Sequence, residues 1–445
     1  MSETSNSESV LTKQRRIALL AAQSPPIAFT SLNHHLDIDW LREAFRKTRK
    51  NGATGVDGQT WHDYEANLEE NLQSLLKRSK TGTYRAPPVR RVHIPKGGSK
   101  TETRPIGIPT LEDKVLQRAV VMILEAVYRW DFLPCSYGFR RGCSAHQALK
   151  DLHSQAMELG IKWILDVDIR KYFDTLGHAH LRDLLKHRVR DGVILRLIGK
   201  WLQAGVLEEG VLSYPDDGTP QGGVISPLLA NVYLHYVLDQ WFHSEVLPRL
   251  RGRAFLIRYA DDFVIGFTDE EDARRVQEVL PKRFGKYGLT IHPEKTRLIP
   301  FERPHRRTKP PRDHRPGTFD FLGFTHYWAR SRKGNWVIKR KTASDRFTRA
   351  VQAISGWCRK NRHRPVPEQQ KTLCQKFRGH FNYYGITGNS KALVRFRYEA
   401  IWLWYKWLRR RHRERPPWSW FARLLVRYEL PLPRAIHSEY RVAKS

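Results

Sequence analysis

The sequence is poor in cysteine and has no long apolar run. Its four cysteines are Cys135, Cys143, Cys358 and Cys374, and no two are spaced as in a zinc site. Metal binding through sulfur is therefore not expected, and the four should be reduced thiols. No apolar stretch approaches the roughly 18 residues of a membrane-spanning helix, and the N terminus is too polar for a signal peptide. These absences predict a soluble, cytoplasmic protein with no membrane partner.

Negative charge is scarce relative to positive charge. The chain has 78 Lys and Arg against 45 Asp and Glu, a formal net charge of +33. Such a chain repels itself unless a polyanion neutralises it, and nucleic acid is the obvious partner. Aromatic side chains, among them 14 Trp and 17 Tyr, supply either a core or surfaces on which bases stack. The core is expected to take most of them.

The 445 residues are too many for one average domain. The first 35 residues, which include Ser24-Pro25-Pro26, are expected to be a flexible leader. A short basic helix is expected from Ile38, with charges that face either solvent or a template. From Trp61 to about Phe301, helical segments alternate with short β-rich runs. That mixture predicts an α+β domain built on a small sheet.

Helical spacing dominates the C-terminal part of the chain. Beyond Lys339 the apolar residues recur every three or four positions, and basic residues fill the remaining positions. The same spacing indicates that Trp402, Trp404 and Trp407 belong to a helical core.

Two adjacent acids, Asp261 and Asp262, are closely flanked by the apolar runs Phe255–Ile257 and Phe263–Ile265. This spacing puts the carboxylates at or beside a tight hairpin turn. Neighbouring acids beside apolar strands repel each other and lose hydration, and a divalent cation bound by oxygens would compensate. The alternative is a turn that faces water, because Asp favours turns.

A second acidic strand end favours the cation. Residues 163–168, Trp-Ile-Leu-Asp-Val-Asp, have the pattern of a strand in which Asp166 and Asp168 share one face. If the two strand ends are neighbours, Asp168 and Asp261 would bind two Mg²⁺ ions. One ion would activate a 3′-hydroxyl, and the other would stabilise a triphosphate and its leaving group. The arrangement indicates nucleotidyl transfer.

Six ordered motifs carry a resemblance to a known family: NGATGVDG at 51–58, RPIGIP at 104–109, SYGFR at 136–140, TPQGGVISP at 219–227, YADD at 259–262 and FLGF at 321–324. With them, the chain resembles bacterial group II intron-encoded reverse transcriptases and maturases from about Leu36 to Tyr440. The resemblance implies an α+β right-hand polymerase, with fingers and an antiparallel palm sheet followed by an α-helical thumb and maturase domain. The implied domains are a leader (1–35), an N-terminal extension with the start of the fingers (36–90), fingers and palm (91–335), and thumb/maturase (336–445).

The resemblance also implies the residues of a metal site. Asp168, Asp261 and Asp262 would be its acids, with the carbonyl of Ile169 as a further ligand. Asp261 is expected to be the stronger ligand of the adjacent pair, because consecutive residues of an extended chain point to opposite sides. Asp166 and Asp174 would be supporting or surface acids.

Substrate contacts follow from the same motifs. Lys96 and Arg104 would clasp the triphosphate, although a longer loop between them makes Lys100 an alternative to Lys96. Gln221 and Gly222 would lie against the incoming base and template.

Further residues are implied around the sugar, the leaving group and the primer. Phe173 would pack under the sugar and favour deoxynucleotides. Lys295 would protonate or neutralise the leaving pyrophosphate, with an ordinary surface lysine as the alternative. Tyr259, Leu322 and Gly323 would contact the primer and template.

The resemblance names partners as well. They are the group II intron RNA, bound with help from residues 376–389, an RNA template with its DNA primer, and dNTPs. Two Mg²⁺ ions, for which Mn²⁺ can substitute, are the implied cofactors, and a homodimer is compatible with the family. The chain shows no Cys-pair and His-rich nuclease segment, so target cleavage is not expected. Two alternatives remain open: a related reverse transcriptase recruited to phage defence or CRISPR spacer acquisition, and a splicing cofactor that binds RNA without polymerising.

The net charge makes a prediction about salt. RNA affinity should fall on the order of 10³-fold between 50 and 200 mM salt if about six phosphates are contacted, because each contact releases counterions. Fluorescence anisotropy of a labelled RNA over a salt series measures it. A flat response would show that the positive charge serves another purpose.

Overall fold

The structure, a computed structural model, describes residues 2–23, 27–95, 103–208, 210–214, 218, 222–304 and 317–437, with side chains from Glu8 onward. It contains two compact units. The first is formed by the residues up to Leu152 and by Leu165–Leu298, and the second by His153–Ile164 and the residues from Ile299 onward. Lys96, Lys100 and Gln221 lie outside the described residues.

Helices and short strands alternate through the first part of the chain, which confirms the expected α+β class. The elements up to β8 are α1 (Ser2–Gln23), α2 (Ile38–Arg46), α3 (Trp61–Glu65), α4 (Leu68–Thr81), β1 (Val89–Pro95), β2 (Thr103–Ile108), α5 (Leu111–Tyr128), α6 (Ala145–Leu159), β3 (Trp163–Val167), α7 (His178–Lys186), α8 (Gly192–Leu202), β4 (Val206–Glu208), β5 (Val211–Ser213), α9 (Ser226–Leu234), β6 (Ala254–Tyr259), β7 (Asp262–Phe267), α10 (Glu270–Gly285) and β8 (Arg297–Pro300).

Helices dominate the rest of the chain, after one small sheet. The elements are β9 (Phe319–Phe321), β10 (Phe324–Arg330), β11 (Trp336–Thr342), α11 (Ser344–Asn361), α12 (Val366–Tyr384), α13 (Ser390–Leu408) and α14 (Trp418–Arg427).

The leader is not the flexible segment that the sequence suggested, because residues 2–23 form α1. Val10, Ile17 and Ala21 lie on one face of this helix and are at most 1% exposed. Gln14 also donates a hydrogen bond of 3.2 Å to the carbonyl of Met122 in α5. The expectation failed because α5 supplies the apolar surface that the isolated segment lacks.

The strands of the described residues form three small sheets, in the orders β2-β1-β4-β5, β6-β7-β3-β8 and β11-β10-β9. The predicted hairpin is confirmed, since β6 and β7 pair antiparallel and end on the pair Tyr259–Asp262. In the same sheet β3 lies next to β7. The strand that precedes Asp168 is therefore the neighbour of the hairpin that carries Asp261.

Helix α5 is buried along most of its length and supports the elements around it. Thr110 caps its N terminus by accepting a hydrogen bond from the N–H of Asp113. Farther along, Gln117 accepts hydrogen bonds from the N–H groups of Val224 at 2.8 Å and Ile225 at 3.3 Å. The helix thereby fixes the chain that follows Gly222.

The strands β9 to β11 belong with the C-terminal helices. The side chain of Asn389, at the start of α13, accepts a hydrogen bond from the N–H of Thr342 and donates one to its hydroxyl, both at 2.9 Å. The division between the two units therefore follows Leu298, ahead of the boundary that the sequence suggested at 335/336.

The three tryptophans of α13 do not all enter the core. Trp404 is fully buried among Phe377, Phe396 and Phe421, and Trp407 packs against the edge of this cluster. Trp402 instead remains 40% exposed. The expectation of a buried side chain is therefore wrong for Trp402.

Two further expectations concern absences and thiols. Among the helices of the described residues, none combines the length and apolar character that crossing a membrane requires. The four cysteines are unpaired, and Cys358 and Cys374 are buried, which agrees with reduced thiols.

A buried histidine makes the first unit sensitive to acid. His235 is fully buried, and neither ring nitrogen has a hydrogen-bond partner among the described residues. Burial disfavours its imidazolium and lowers its pKa to about 4. The neutral ring is thus favoured in the folded state, so the full stability is present above the unfolded pKa, near 6.5. The free energy of unfolding should fall by up to about 3 kcal/mol between pH 7 and pH 4.

Urea unfolding at several pH values tests this loss. His235→Phe, whose ring suits the contacts with Phe132 and Tyr236, should remove most of it. His243→Gln, at an exposed position eight residues further along the chain, is the control and should leave it in place. Identical pH dependence in the wild type and His235→Phe would contradict the assignment.

Candidate active site

The central feature of the site is the two-residue turn between β6 and β7. Ala260 has a φ of 59°, in the left-handed region that such hairpin turns require. Asp261 completes the turn, and Asp262 is the first residue of β7. The turn therefore fixes the backbone positions from which the two carboxylate side chains project.

A buried guanidinium holds this turn. Arg258 is fully buried and donates to both carboxylate oxygens of Asp239, at 2.7 and 2.5 Å. Its remaining donors reach Asn231 Oδ1 at 3.0 Å, Ser136 Oγ at 2.8 Å and the carbonyl oxygen of Ala260 at 2.9 Å. All five N–H donors of the side chain are used. The last of these bonds fixes the peptide of the turn itself.

A glycine lets a second segment press against the turn. A Cβ on Gly138 would lie 2.3 Å from the backbone nitrogen of Ala260, so any larger residue would displace one of the two chains. The carbonyl of Gly138 accepts a hydrogen bond of 2.6 Å from Asn231 Nδ2. The SYGFR motif thus serves here as backbone support for the YADD turn.

Asp168, which follows β3, affects Asp261 in the turn through its charge. Burial raises the pKa of Asp261, and the charge of Asp168 raises it further, while Arg104 and Arg258 oppose the shift. Two acids of the sequence prediction, from separate strands, therefore lie within electrostatic reach of each other. Charge repulsion of this kind favours a bound cation.

The backbone after Asp168 is anchored on one side. The carbonyl of Asp168 accepts a hydrogen bond of 2.8 Å from His292, and the N–H of Arg170 donates one of 2.8 Å to the carbonyl of Thr290. This bridge does not use the carbonyl of Ile169. That oxygen is therefore compatible with the ligand role inferred from the sequence.

An open cleft of about 380 Å³ borders the acids and is lined by Asp166, Val167, Asp168, Asp262, Glu294, Lys295 and Arg297. Lys295 Nζ lies 3.2 Å from Asp168 Oδ2, and Arg297 Nη2 lies 3.2 Å from Asp166 Oδ2. Asp262 thus lines the same cleft as Asp168. Asp261 is affected by Asp168 in another way, because the charge of Asp168 raises its pKa. That Asp261 is a stronger metal ligand than Asp262 stays a prediction.

The donor chemistry fits a hard divalent cation. Within the described ranges, no three His, Cys, Asp or Glu side chains are gathered closely enough to hold an ion by themselves. Two repelling carboxylates and a backbone carbonyl are nevertheless oxygen ligands of the kind Mg²⁺ takes, and Mg²⁺ completes its shell with water and substrate phosphates. The donors available here are Asp168, Asp261, Asp262 and the Ile169 carbonyl.

The predicted substrate residues of the first unit lie on neighbouring segments. Arg104, on β2, is exposed but lowers the pKa of Asp261 through its charge. Gly222 has a φ of 114°, and a Cβ on it would lie 2.6 Å from the carbonyl oxygen of Gly107. Glycine at 222 therefore allows its segment to contact β2. Phe173 is partly buried in a short 3₁₀ turn, with its ring 5.4 Å from that of Tyr172.

Other predicted residues are not part of this constellation. Lys96 and Gln221 lie outside the described residues. Leu322 and Gly323 form the turn between β9 and β10 in the second unit, with φ values of 49° and 79°. The hydroxyl of Tyr383 donates to the carbonyl of Leu322 at 2.8 Å. Their proposed contact with primer stays a prediction.

Three supporting residues were not predicted from the sequence: Asn231, Asp239 and Gln117. A signal was present for two of them, since Asn231 lies within the mainly apolar run Leu228–Leu238 and Asp239 directly follows it. A polar side chain in such a run is buried and needs a partner. No pattern identified Gln117, because its helix contains other polar residues that face solvent.

The class of protein follows from comparison with known sequences. Residues 94–326 match the family described as "Reverse transcriptase (RNA-dependent DNA polymerase)", and this stretch includes both acidic strand ends. The chain belongs to the reverse transcriptase family.

Relatives extend the comparison to most of the chain. Protein YkfC of Escherichia coli (strain K12) is 33% identical over 320 residues, which cover 64% of this chain and 83% of that protein. The group II intron-encoded protein LtrA of Lactococcus lactis subsp. cremoris is 28% identical over 468 residues, covering 86% and 75% respectively. The putative COX1/OXI3 intron 1 protein of Saccharomyces cerevisiae is 26% identical over 435 residues, covering 80% and 50%. The resemblance to intron-encoded proteins inferred from the motifs is confirmed.

The buried guanidinium generates a prediction. Arg258→Lys keeps one positive charge but leaves several acceptors unpaired, including the carbonyl of Ala260, so the turn should lose its fixed shape. The kcat of primer extension should drop at least tenfold, corresponding to about 1.4 kcal/mol of transition-state stabilisation, and the Mg²⁺ requirement should rise. Steady-state kinetics over a Mg²⁺ series measures both quantities.

A second buried arginine provides the matched control. Arg188 pairs with Asp131 at 2.8 Å and donates to the carbonyls of Ala21 and Ile27, both at 2.9 Å. Arg188→Lys should lower the Tm as Arg258→Lys does, while kcat per folded molecule stays within about twofold. Equal loss of kcat in both variants would reduce the role of Arg258 to general stability.

Proposed function

We propose that this reverse transcriptase copies a group II intron RNA into DNA and binds the same RNA to assist its splicing and mobility. The observation that supports the polymerase step is the position of Asp168 and Asp261 at the ends of neighbouring strands, where the charges of Asp168 and Arg104 both act on Asp261. The names of the relatives support the choice of intron RNA as template.

Asp168, Asp261 and Asp262, with the Ile169 carbonyl, would hold two Mg²⁺ ions, or Mn²⁺ in their place. Bound there, the ions supply Lewis-acid activation of the primer 3′-hydroxyl and charge neutralisation on the triphosphate. The buried turn and the anchored backbone after Asp168 keep the carboxylates in position, so little reorganisation is needed when substrate arrives.

The residues around the acids would orient the dNTP. Arg104 presents a planar fork for the phosphates, with Lys96 proposed beside it. Gln221 and Gly222 would meet the base, and Phe173 would exclude a 2′-hydroxyl. Lys295, whose Nζ lies 3.2 Å from Asp168 Oδ2, would give its proton to the departing pyrophosphate or neutralise it.

The second unit would grip nucleic acid. Residues 376–389 lie mainly on α12 and the turn that follows it, and they interleave aromatic with basic side chains. Leu322 and Gly323 would contact the primer end, as Tyr259 would on the first unit. The net charge of +33 supports long contact with phosphate backbones. We place the activity in the cytoplasm and propose that a homodimer is compatible with it.

Primer extension on an RNA template with dNTPs and Mg²⁺ tests the proposal. Asp261→Asn removes a charge from the metal site with almost no change in volume, so extension should fall by at least 10³-fold, corresponding to about 4 kcal/mol of barrier. The Tm should stay the same or rise, because burial makes the ionised Asp261 unfavourable in the folded state.

Asp174→Asn is the matched control, since Asp174 is exposed six residues after Asp168. It should retain extension within about twofold of the wild type, in keeping with the small effects usual for surface substitutions. Full extension by Asp261→Asn would refute the assignment of Asp261.

A further inference from the structure

Helix α13 of the second unit carries an exposed aromatic surface that the polymerase site does not use. Tyr398 is 62% exposed and Trp402 is 40% exposed. They are one helical turn apart, and their rings meet edge to face at 6.1 Å. Together with Val351, Leu403, Tyr405 and Arg409 they line a groove of about 520 Å³.

Other aromatic side chains fix the ring of Trp402. Trp402 stacks on Trp418 of α14 with ring centres 4.4 Å apart and planes 22° apart. Trp418 in turn meets Tyr405 edge to face at 5.2 Å. An aromatic surface whose ring orientation is fixed before binding loses little side-chain entropy when a flat ligand stacks on it.

The charge at the groove is positive. Glu399 is neutralised by Arg395, whose Nε lies 2.7 Å from it. Lys406 and Arg409 also line the groove, and neither has an ion pair among the described residues. Two uncompensated cations beside exposed rings favour a ligand that is aromatic and anionic.

We infer that this groove binds unpaired bases of RNA, with Tyr398 and Trp402 stacking on the bases and Lys406 and Arg409 contacting the phosphates. Bases within a duplex do not expose their faces, so single-stranded loops and bulges are the fitting ligands. The inference rests on the proposed binding of RNA by the second unit, and it adds the part of the RNA that is recognised and the residues that recognise it.

Substitutions at Tyr398 separate stacking from simple apolar contact. Tyr398→Leu keeps an apolar side chain but removes the aromatic face, whereas Tyr398→Phe keeps the face and removes only the hydroxyl. Because the side chain is largely exposed, neither change should affect folding. Affinity of the full chain is measured by fluorescence anisotropy for a labelled single-stranded RNA and for a fully paired RNA of equal length.

The expected result is an affinity about tenfold lower for single-stranded RNA in Tyr398→Leu, which corresponds to about 1.4 kcal/mol. Tyr398→Phe should stay within about twofold of the wild type, and the paired RNA should bind all three proteins equally. A 4-thiouridine in the single-stranded RNA should crosslink to the peptide that contains Tyr398 and Trp402.

Several results would overturn the inference. Unchanged affinity in Tyr398→Leu, an equal loss in Tyr398→Phe, or an equal loss for paired RNA would each exclude base stacking. If Tyr398→Leu sediments with a lower molecular mass than the wild type, a second copy of the chain occupies the groove. Primer extension by the wild type is measured in parallel. Its absence even in the wild type, with the RNA-binding pattern intact, would count against the proposed polymerase and not against the groove.

Discussion

The candidate site depends on one buried guanidinium. Arg258 pairs with Asp239 and donates its remaining hydrogen bonds to Asn231, Ser136 and the turn carbonyl of Ala260. In a low-dielectric interior a fully satisfied network is stabilising, whereas the loss of one partner leaves a charge or dipole unpaired at a cost of several kcal/mol. The turn that presents the carboxylates therefore has one favoured shape, set by buried side chains.

That rigidity has an electrostatic consequence. Asp168 and Asp261 lie close enough for the charge of Asp168 to raise the pKa of Asp261, and the fixed turn limits how far the backbone of Asp261 can move away. Arg104 opposes this shift from β2, and Lys295 Nζ lies 3.2 Å from Asp168 Oδ2 in the cleft. Arg104 is predicted to contact the triphosphate, and Lys295 is predicted to protonate or neutralise the leaving pyrophosphate. The charges that stabilise the acids in the protein alone are thus also the charges that substrate phosphates would engage.

The strands and the acids could be predicted from sequence because local patterns specify them. Short β-rich apolar runs located β3, β6 and β7, and the close spacing of the last two indicated a hairpin. The support for that hairpin could not be predicted in the same way. Asp239 lies 19 positions before Arg258, and Ser136 lies 122 positions before it, so only the folded chain brings them together. The N-terminal helix could not be predicted for a similar reason, because its apolar face becomes buried only when it packs against α5.

The tryptophans of α13 show where local information was present but not used. Successive residues of an α-helix are about 100° apart, so two residues separated by two positions lie about 200° apart. Trp402 and Trp404 therefore cannot both face one core. Trp404 aligns with Phe396, Ala400 and Leu408, which are buried, and this alignment assigns Trp402 to the outside. Exposure of a large aromatic side chain is unfavourable unless something covers it, and a positively charged rim selects for an anionic partner that carries flat rings.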